Sequence, residues 1–183
     1  MGIKSRARSI HLMTQTFFTS DEHYGHLNIL KYSNRPFSSI DEHDEFLIKN
    51  HNSIVSPNDR VIHAGDFTLS KKPIAQSYIS QLNGKHTFIR GSHDYWLGKN
   101  HPIQILDMSI NKQNIIICHY CLRTWPRSHY NSWHLYGHSH GRLEPIGKSW
   151  DIGVDNNNFF PVSFEYIKLI MLNRPNNPNL IKK

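Results

Sequence analysis

Cysteine is scarce in this chain: 183 residues contain two, Cys118 and Cys121. So small a number cannot build a disulfide framework, which excludes a stapled secreted domain and fits a reducing cytoplasm. Their C-x-x-C spacing lacks the second pair that a zinc site of that kind needs. Long apolar runs are also missing, and no stretch approaches the roughly 20 residues of a membrane span. The start, Met1 to Arg8, is basic, but Ser9, His11, Thr14 and Gln15 interrupt the next segment, which makes a poor export signal. Acidic residues are outnumbered, 14 against 21 Lys and Arg, for a formal charge of +7. That balance favours anionic partners, whether phosphates, nucleotides or nucleic acid. The basic residues are scattered, and Lys182-Lys183 reads as a solvated tail. Histidine is abundant: there are 14, as many as all the carboxylates together.

The chain is long enough for one domain with a real core. Expected strands are 14–19, Arg60 to His63, 87–89, 114–118, Trp133 to Tyr136 and 150–154. Leu27 to Tyr32 reads as a helical turn. Ser39 to Ile54 reads as a helix with an apolar stripe of Ile40, Phe46, Leu47 and Ile54, and with Asp41-Glu42 at its N-terminal dipole. A further helix over 72–82 ends at Asn83-Gly84. Residues 164–172 fit a helix or a strand. The domain is expected over 1–172, with an irregular Asn/Pro-rich tail over 173–183. Alternation of strands and helices gives way to strands alone, which predicts a layered α/β fold.

Four short segments stand at expected strand ends: Asp21-Glu22-His23, Gly65-Asp66, Gly91-Ser92-His93-Asp94 and Gly137-His138-Ser139-His140, with His119 following an apolar run. Asp21 and His23 are two apart, so on extended backbone they point the same way. His138 and His140 repeat the pattern. Asp66 follows a glycine, and a carboxylate there has two oxygens with which to bridge two cations. Paired cations about 3.5–4 Å apart can clamp a phosphoryl group during in-line displacement. Mixed His/Asp ligation suits Mn²⁺, Fe or Zn²⁺ better than Mg²⁺ or Ca²⁺.

The text TSDEHYGH at 19–26, HAGDF at 63–67, IRGSHD at 89–94, CHY at 118–120, YGHSHG at 136–141 and DIGVD at 151–155 resembles the calcineurin-like metallophosphoesterase family, in particular its small single-domain bacterial and phage members. The resemblance runs from about residue 17 to 167 and includes the Asn-Arg-Pro-Phe segment at 34–37. It implies an α/β sandwich of two mixed β-sheets flanked by helices, with two divalent metal ions, Mn²⁺ foremost and Fe, Zn²⁺ or Ni²⁺ as alternatives. By resemblance, Asp21, His23 and His140 hold the first metal, Asp66 bridges, and His119 and His138 hold the second. His93 stands beside the phosphate as general acid or transition-state stabiliser, while a metal-bound hydroxide attacks phosphorus. Ser92 departs from the pattern: the family usually has Asn there, whose amide oxygen binds the second metal. Serine is shorter and a poorer donor, which implies a weaker second site, whether the enzyme tolerates the change or is inactivated by it.

Arg35 and Arg123 are candidates for phosphate contact, since guanidinium forks match phosphate oxygens. His26 is a third. Trp125, Tyr130 and Trp133 are candidates for a base-stacking wall, and His63 reads as a packing residue. The expected function is a cytoplasmic metal-dependent phosphoesterase acting on a phosphorylated small molecule or nucleotide. The alternatives are a nuclease, whose binding would fall steeply with salt, and a catalytically weak relative that binds a phosphorylated ligand.

Overall fold

The computed structural model describes residues 14–181; the basic start up to residue 13 and Lys182-Lys183 lie outside them. The strands are β1 (Thr16–Thr19), β2 (Arg60–His63), β3 (Lys85–Phe88), β4 (Ile105–Ile110), β5 (Gln113–Cys118), β6 (Trp133–Tyr136), β7 (Ser149–Asp151) and β8 (Val162–Ser163). The helices are α1 (Ile29–Tyr32), α2 (Ile40–Ile54), α3 (Lys72–Ile79) and α4 (Phe164–Asn173). One sheet has the order β3-β2-β1-β8 and the other β4-β5-β6-β7. Both are mixed: β1, β2 and β3 run parallel with β8 antiparallel, while β5, β6 and β7 run parallel with β4 antiparallel. This is the expected two-sheet sandwich. Among the described residues, no helix is long and apolar enough to cross a membrane.

Strand periodicity explains the layers. Phe18 of β1 and Ile62 of β2 point into the sandwich core with Ile115 and Ile117 of β5 and Leu135 of β6, while Phe17 and Val61 pack on the opposite face with Val55. Residues 164–172, ambiguous by pattern, are helical. Phe164, Ile167 and Met171 form the buried stripe, and the Ser163 side chain caps the helix by accepting from Tyr166 N. Strand β4 was not expected. Its inward residues Leu106, Met108 and Ile110 alternate with outward ones, and Asn111 and Lys112, at φ 50° and 66°, form the two-residue turn into β5. Positive φ at both central positions is the hairpin turn that suits strand twist.

The inward face of α2 differs from expectation. Phe46 and Ile54 are exposed, and the buried positions are His43, Asp44, Leu47, Asn50 and His51. The face is polar because it supports loops rather than a sheet: Asp44 accepts from Gly25 N and the Tyr78 hydroxyl, and His51 donates to Asn83 O. Past α4, residues 174–181 form no regular element, and they are tied down. Buried Asn177 donates to Ser128 O and Ser132 O, and Arg174 donates to Gly147 O and Pro145 O.

Several histidines are held neutral by burial. The rings of His51, His86 and His134 are each pushed down to about 4. In the unfolded chain they titrate near 6.5. Their neutral form is therefore fully accommodated above pH 6.5, and the fold loses stability as pH falls from 6.5 toward 4, where only the unfolded chain binds the protons. Thermal melting of the chelator-treated protein should drop steeply across that window. His134→Gln should make the drop shallower, and an unchanged slope would remove His134 from this account.

Candidate metal centre

The C-terminal ends of parallel strands from both sheets meet at one edge of the sandwich. The loops after β1, β2 and β3 carry Asp21 and His23, Asp66, and Ser92 and His93; those after β5 and β6 carry His119, and His138 and His140. Pairing of β1 with β2 continues into the loops through Asp21 N to Gly65 O, His23 N to Asp66 O and Tyr24 N to Phe67 O. Gly65 is required where these loops cross, because a Cβ there would lie 2.6 Å from His119 Nδ1 and 2.7 Å from Gly91 Cα. Asp21, His23, Asp66, His138 and His140 all sit at positive φ, between 46° and 67°. Asp and His tolerate that region better than most residues, and strain of this kind gathers at functional sites.

Three groups of side chains offer ligand atoms within 4.8 Å of one another: Asp21-His23-His140, His23-Asp66-His93 and Asp66-His119-His138. Asp66 Oδ2 is the meeting point. It lies 3.2 Å from His119 Nε2 and 3.8 Å from both His23 Nε2 and His93 Nε2. Buried His23 Nε2 and His119 Nε2 have no hydrogen-bond partner. His119 Nδ1 donates to Ala64 O, which turns Nε2 toward Asp66. His140 Nδ1 likewise pairs with Asp155 Oδ2 at 2.7 Å, turning Nε2 toward Asp21. Orphaned imidazole nitrogens that face carboxylates without bonding to them are the arrangement a cation completes.

The electrostatics agree. Burial pushes the Asp21 carboxyl up to about 7, against the opposing pull of His119 and His140. Burial also works against ionised Asp66, but His119 and His23 hold it well below the ordinary carboxylate range. The His119 ring is raised to about 8, because Asp66 and Asp21 outweigh its burial. Asp66 and His119 thus hold each other ionised, and a cation would take the place of the His119 proton.

The remaining expected residues divide. His93 lines the cleft with its side chain 37% exposed, and its ring lies 5.2 Å from that of His23. His26 lines the same cleft, with Nδ1 3.4 Å from His23 Nδ1. Ser92 is half-buried, and its hydroxyl donates to Asp66 Oδ2 at 3.0 Å. Arg35 is a correction. Its guanidinium is buried, and its N–H groups go to both Asp155 oxygens, Asp21 O, Glu22 O and His43 Nε2, leaving none for a phosphate. Arg123 is exposed and is not among the cleft-lining residues. No stacking wall forms: Trp125 is buried and donates to Ser132 O, and Trp133 packs in the core against Phe164. His63 packs as expected, stacked on Phe88, and also pairs with Glu22 at 2.6 Å.

Two carboxylates inside the quoted motifs have roles the sequence did not disclose. Asp94 accepts from Asp66 N, Phe67 N, Gly91 N and Trp96 Nε1, tying the loops after β2 and β3 together. Asp155 links Arg35 to His140, and those two hold its carboxyl down at about 2 despite burial. Partners behind a ligating histidine typically affect metal affinity 10–100-fold. Asp155→Asn and Arg35→Lys should each weaken Mn²⁺ binding by about that factor in calorimetry, with circular dichroism unchanged. Affinity within twofold of the parent would show that His140 needs no such support.

No protein-family model matches the chain. It is 36% identical over 168 residues to the uncharacterized protein MJ1445 of Methanocaldococcus jannaschii, covering 86% of this chain and 92% of that one. The Gene 66 protein of Mycobacterium phage L5 is 36% identical over 85 residues, 45% of this chain and 41% of that protein. Among solved structures, the Aquifex aeolicus protein AQ665, of unknown function, superposes with a TM-score of 0.65 at 19% identity, over 86% of this chain and 99% of that one. The phosphoesterase Yfce of E. coli is a looser likeness, at 18% identity over 76% of each chain and a TM-score of 0.42, and carries no argument about activity. The chain belongs to the family of MJ1445, and its two mixed sheets, with aspartate and histidine motifs at their strand ends, share the fold of AQ665.

Proposed function

We propose that the chain is a metal-dependent phosphoesterase that hydrolyses a small, nucleotide-like phosphodiester or phosphomonoester. The observation that carries this reading is the convergence on Asp66 Oδ2 of His23 Nε2 and His119 Nε2, both buried and otherwise unpartnered. Asp66 belongs to two of the three ligand groups, which supports a role for its carboxylate toward both cations of a pair. Asp21, His23 and His140 would hold one cation, and His119 and His138 the other. The mixed imidazole and carboxylate donor set favours Mn²⁺, Fe or Zn²⁺. Divalent ions, when bound, supply Lewis acidity and a water that ionises near neutral pH.

The protein's own groups supply orientation and proton handling. With a cation in place of the His119 proton, His23 and His119 would present lone pairs whose direction is fixed, for His119, by the Ala64 carbonyl. His93 stands at the mouth, more exposed than His23 and His119. From there it can donate a proton or hydrogen bond to a phosphoryl oxygen or leaving group without displacing a buried residue. The cleft beside it, about 470 Å³, is open to solvent and sized for a small ligand rather than a duplex.

Mn²⁺-dependent hydrolysis of bis-p-nitrophenyl phosphate tests the reading. Turnover should require added metal. His93→Ala should lower kcat by about 10²–10⁴-fold with metal affinity retained. Ser92→Asn should raise activity by restoring an amide oxygen beside Asp66. Turnover that survives full chelation, or that is indifferent to Asp66→Asn, would sink it.

A further inference from the structure

The open cleft beside His23, His93 and His140 is built to receive more than a phosphoryl group. Its walls are His26, Tyr32, Leu69 and Arg142, with Ile29 and Ser33 between them. No carboxylate lines it, and Arg142 is its one lysine or arginine among the described residues. Arg142 follows the Gly137-His138-Ser139-His140-Gly141 turn, and its backbone N–H donates to Ser139 O. One Nη2 hydrogen donates to Tyr32 O, anchoring the guanidinium across the cleft from the loop after β6 to the end of α1. An arginine has five N–H donors in a planar fork, so this anchor leaves donors for a ligand. Beside it, the Tyr32 ring is 63% exposed and Leu69 39% exposed, an uncovered flat and apolar surface next to a cation.

We propose that Arg142 is a specificity-determining residue that takes a second anionic group of the substrate, and that Tyr32 and Leu69 flank the organic part carrying it. The substrate class is then a nucleotide with a further phosphate beyond the one at the metal centre. This rests on the phosphoesterase reading, because the first phosphate is assigned to the His/Asp cluster. It differs from the expectation set on Arg35 and Arg123: the arginine that reaches the cleft is the one the motif delivers, two residues after His140. A fork anchored by a carbonyl suits phosphate oxygens, and a charge-assisted contact of this kind separates ligands that have it from ligands that lack it.

The test is equilibrium binding of ADP and AMP to the Mn²⁺-saturated protein, measured by calorimetry. The parent should bind ADP about tenfold more tightly than AMP. Arg142→Gln should abolish that gap, and Arg142→Lys should keep part of it. Tyr32→Ala should weaken both nucleotides while leaving inorganic pyrophosphate unaffected. Equal affinity for ADP and AMP in the parent, no binding of either, or a gap that persists in Arg142→Gln overturns the proposal. Hydrolysis of bis-p-nitrophenyl phosphate reports separately on the phosphoesterase reading. Turnover without an ADP–AMP gap sinks the subsite alone, and a gap without any metal-dependent turnover sinks the reading on which it rests.

Discussion

The backbone at the ends of β1, β2 and β6 is held in a conformation that most side chains avoid, and the rest of the site depends on it. Asp21, His23, Asp66, His138 and His140 turn through positive φ as the chain leaves its strands, which sends their side chains toward a common point. Each such residue costs on the order of 1 kcal/mol, less for Asp and His than for a bulky residue. The surrounding hydrogen bonds offset this. Arg35 reaches both Asp21 O and Glu22 O, Asp94 takes Asp66 N and Phe67 N, and the Asp21 carboxylate accepts from His138 N. These are bonds to charged groups, worth about 1.5–3 kcal/mol each when buried.

Those same bonds join the two sheets. Asp21 lies on the loop after β1 yet accepts from the loop after β6, and His119, after β5, donates to Ala64, after β2. The sandwich core explains why the sheets stack, but these crossings explain why their ends stay in register. A site assembled from two sheets is only as rigid as the links between them. Here the links pass through the candidate ligands or through residues one step behind them.

Much of this was legible in the sequence because it is local. Gly65-Asp66 and Gly137-His138-Ser139-His140 declare a strand end, a tight turn and a donor within a few residues. The strand positions followed from short apolar runs, and Ser39 marked the start of α2. What was not legible is what depends on distant partners. Arg35 looked like a phosphate ligand because guanidinium suits phosphate, but its partner Asp155 is 120 residues away. The polar inner face of α2 defeated a periodicity argument, since His43, Asp44 and Asn50 carry no apolar signal. Strand β4 did alternate, through Leu106, Met108 and Ile110, and its Asn111-Lys112 turn was the overlooked sign. Arg142 sat at the edge of a quoted motif with nothing in its spacing to say that it faces a cleft.

Ser92 ties the local and distant arguments together. Its hydroxyl donates to Asp66 Oδ2, the oxygen that His23, His119 and His93 approach. A hydroxyl has one proton and two lone pairs on a single atom. To serve a cation at Asp66, Ser92 must turn its proton away from that oxygen and offer a lone pair instead, giving up the bond that fixes it. An asparagine would separate the two tasks, presenting its carbonyl oxygen to the cation while its NH₂ made hydrogen bonds elsewhere. On the proposed reading, the two halves of the centre are therefore unequal. The half built from Asp21, His23 and His140 has a histidine braced by Asp155 and a carboxylate free of any competing hydroxyl. Asp66, with its serine proton, faces both halves, and the half built from His119 and His138 relies on an exposed histidine, His138. On that reading the half with the braced histidine would fill first, and the cleft where Arg142 lies opens beside it.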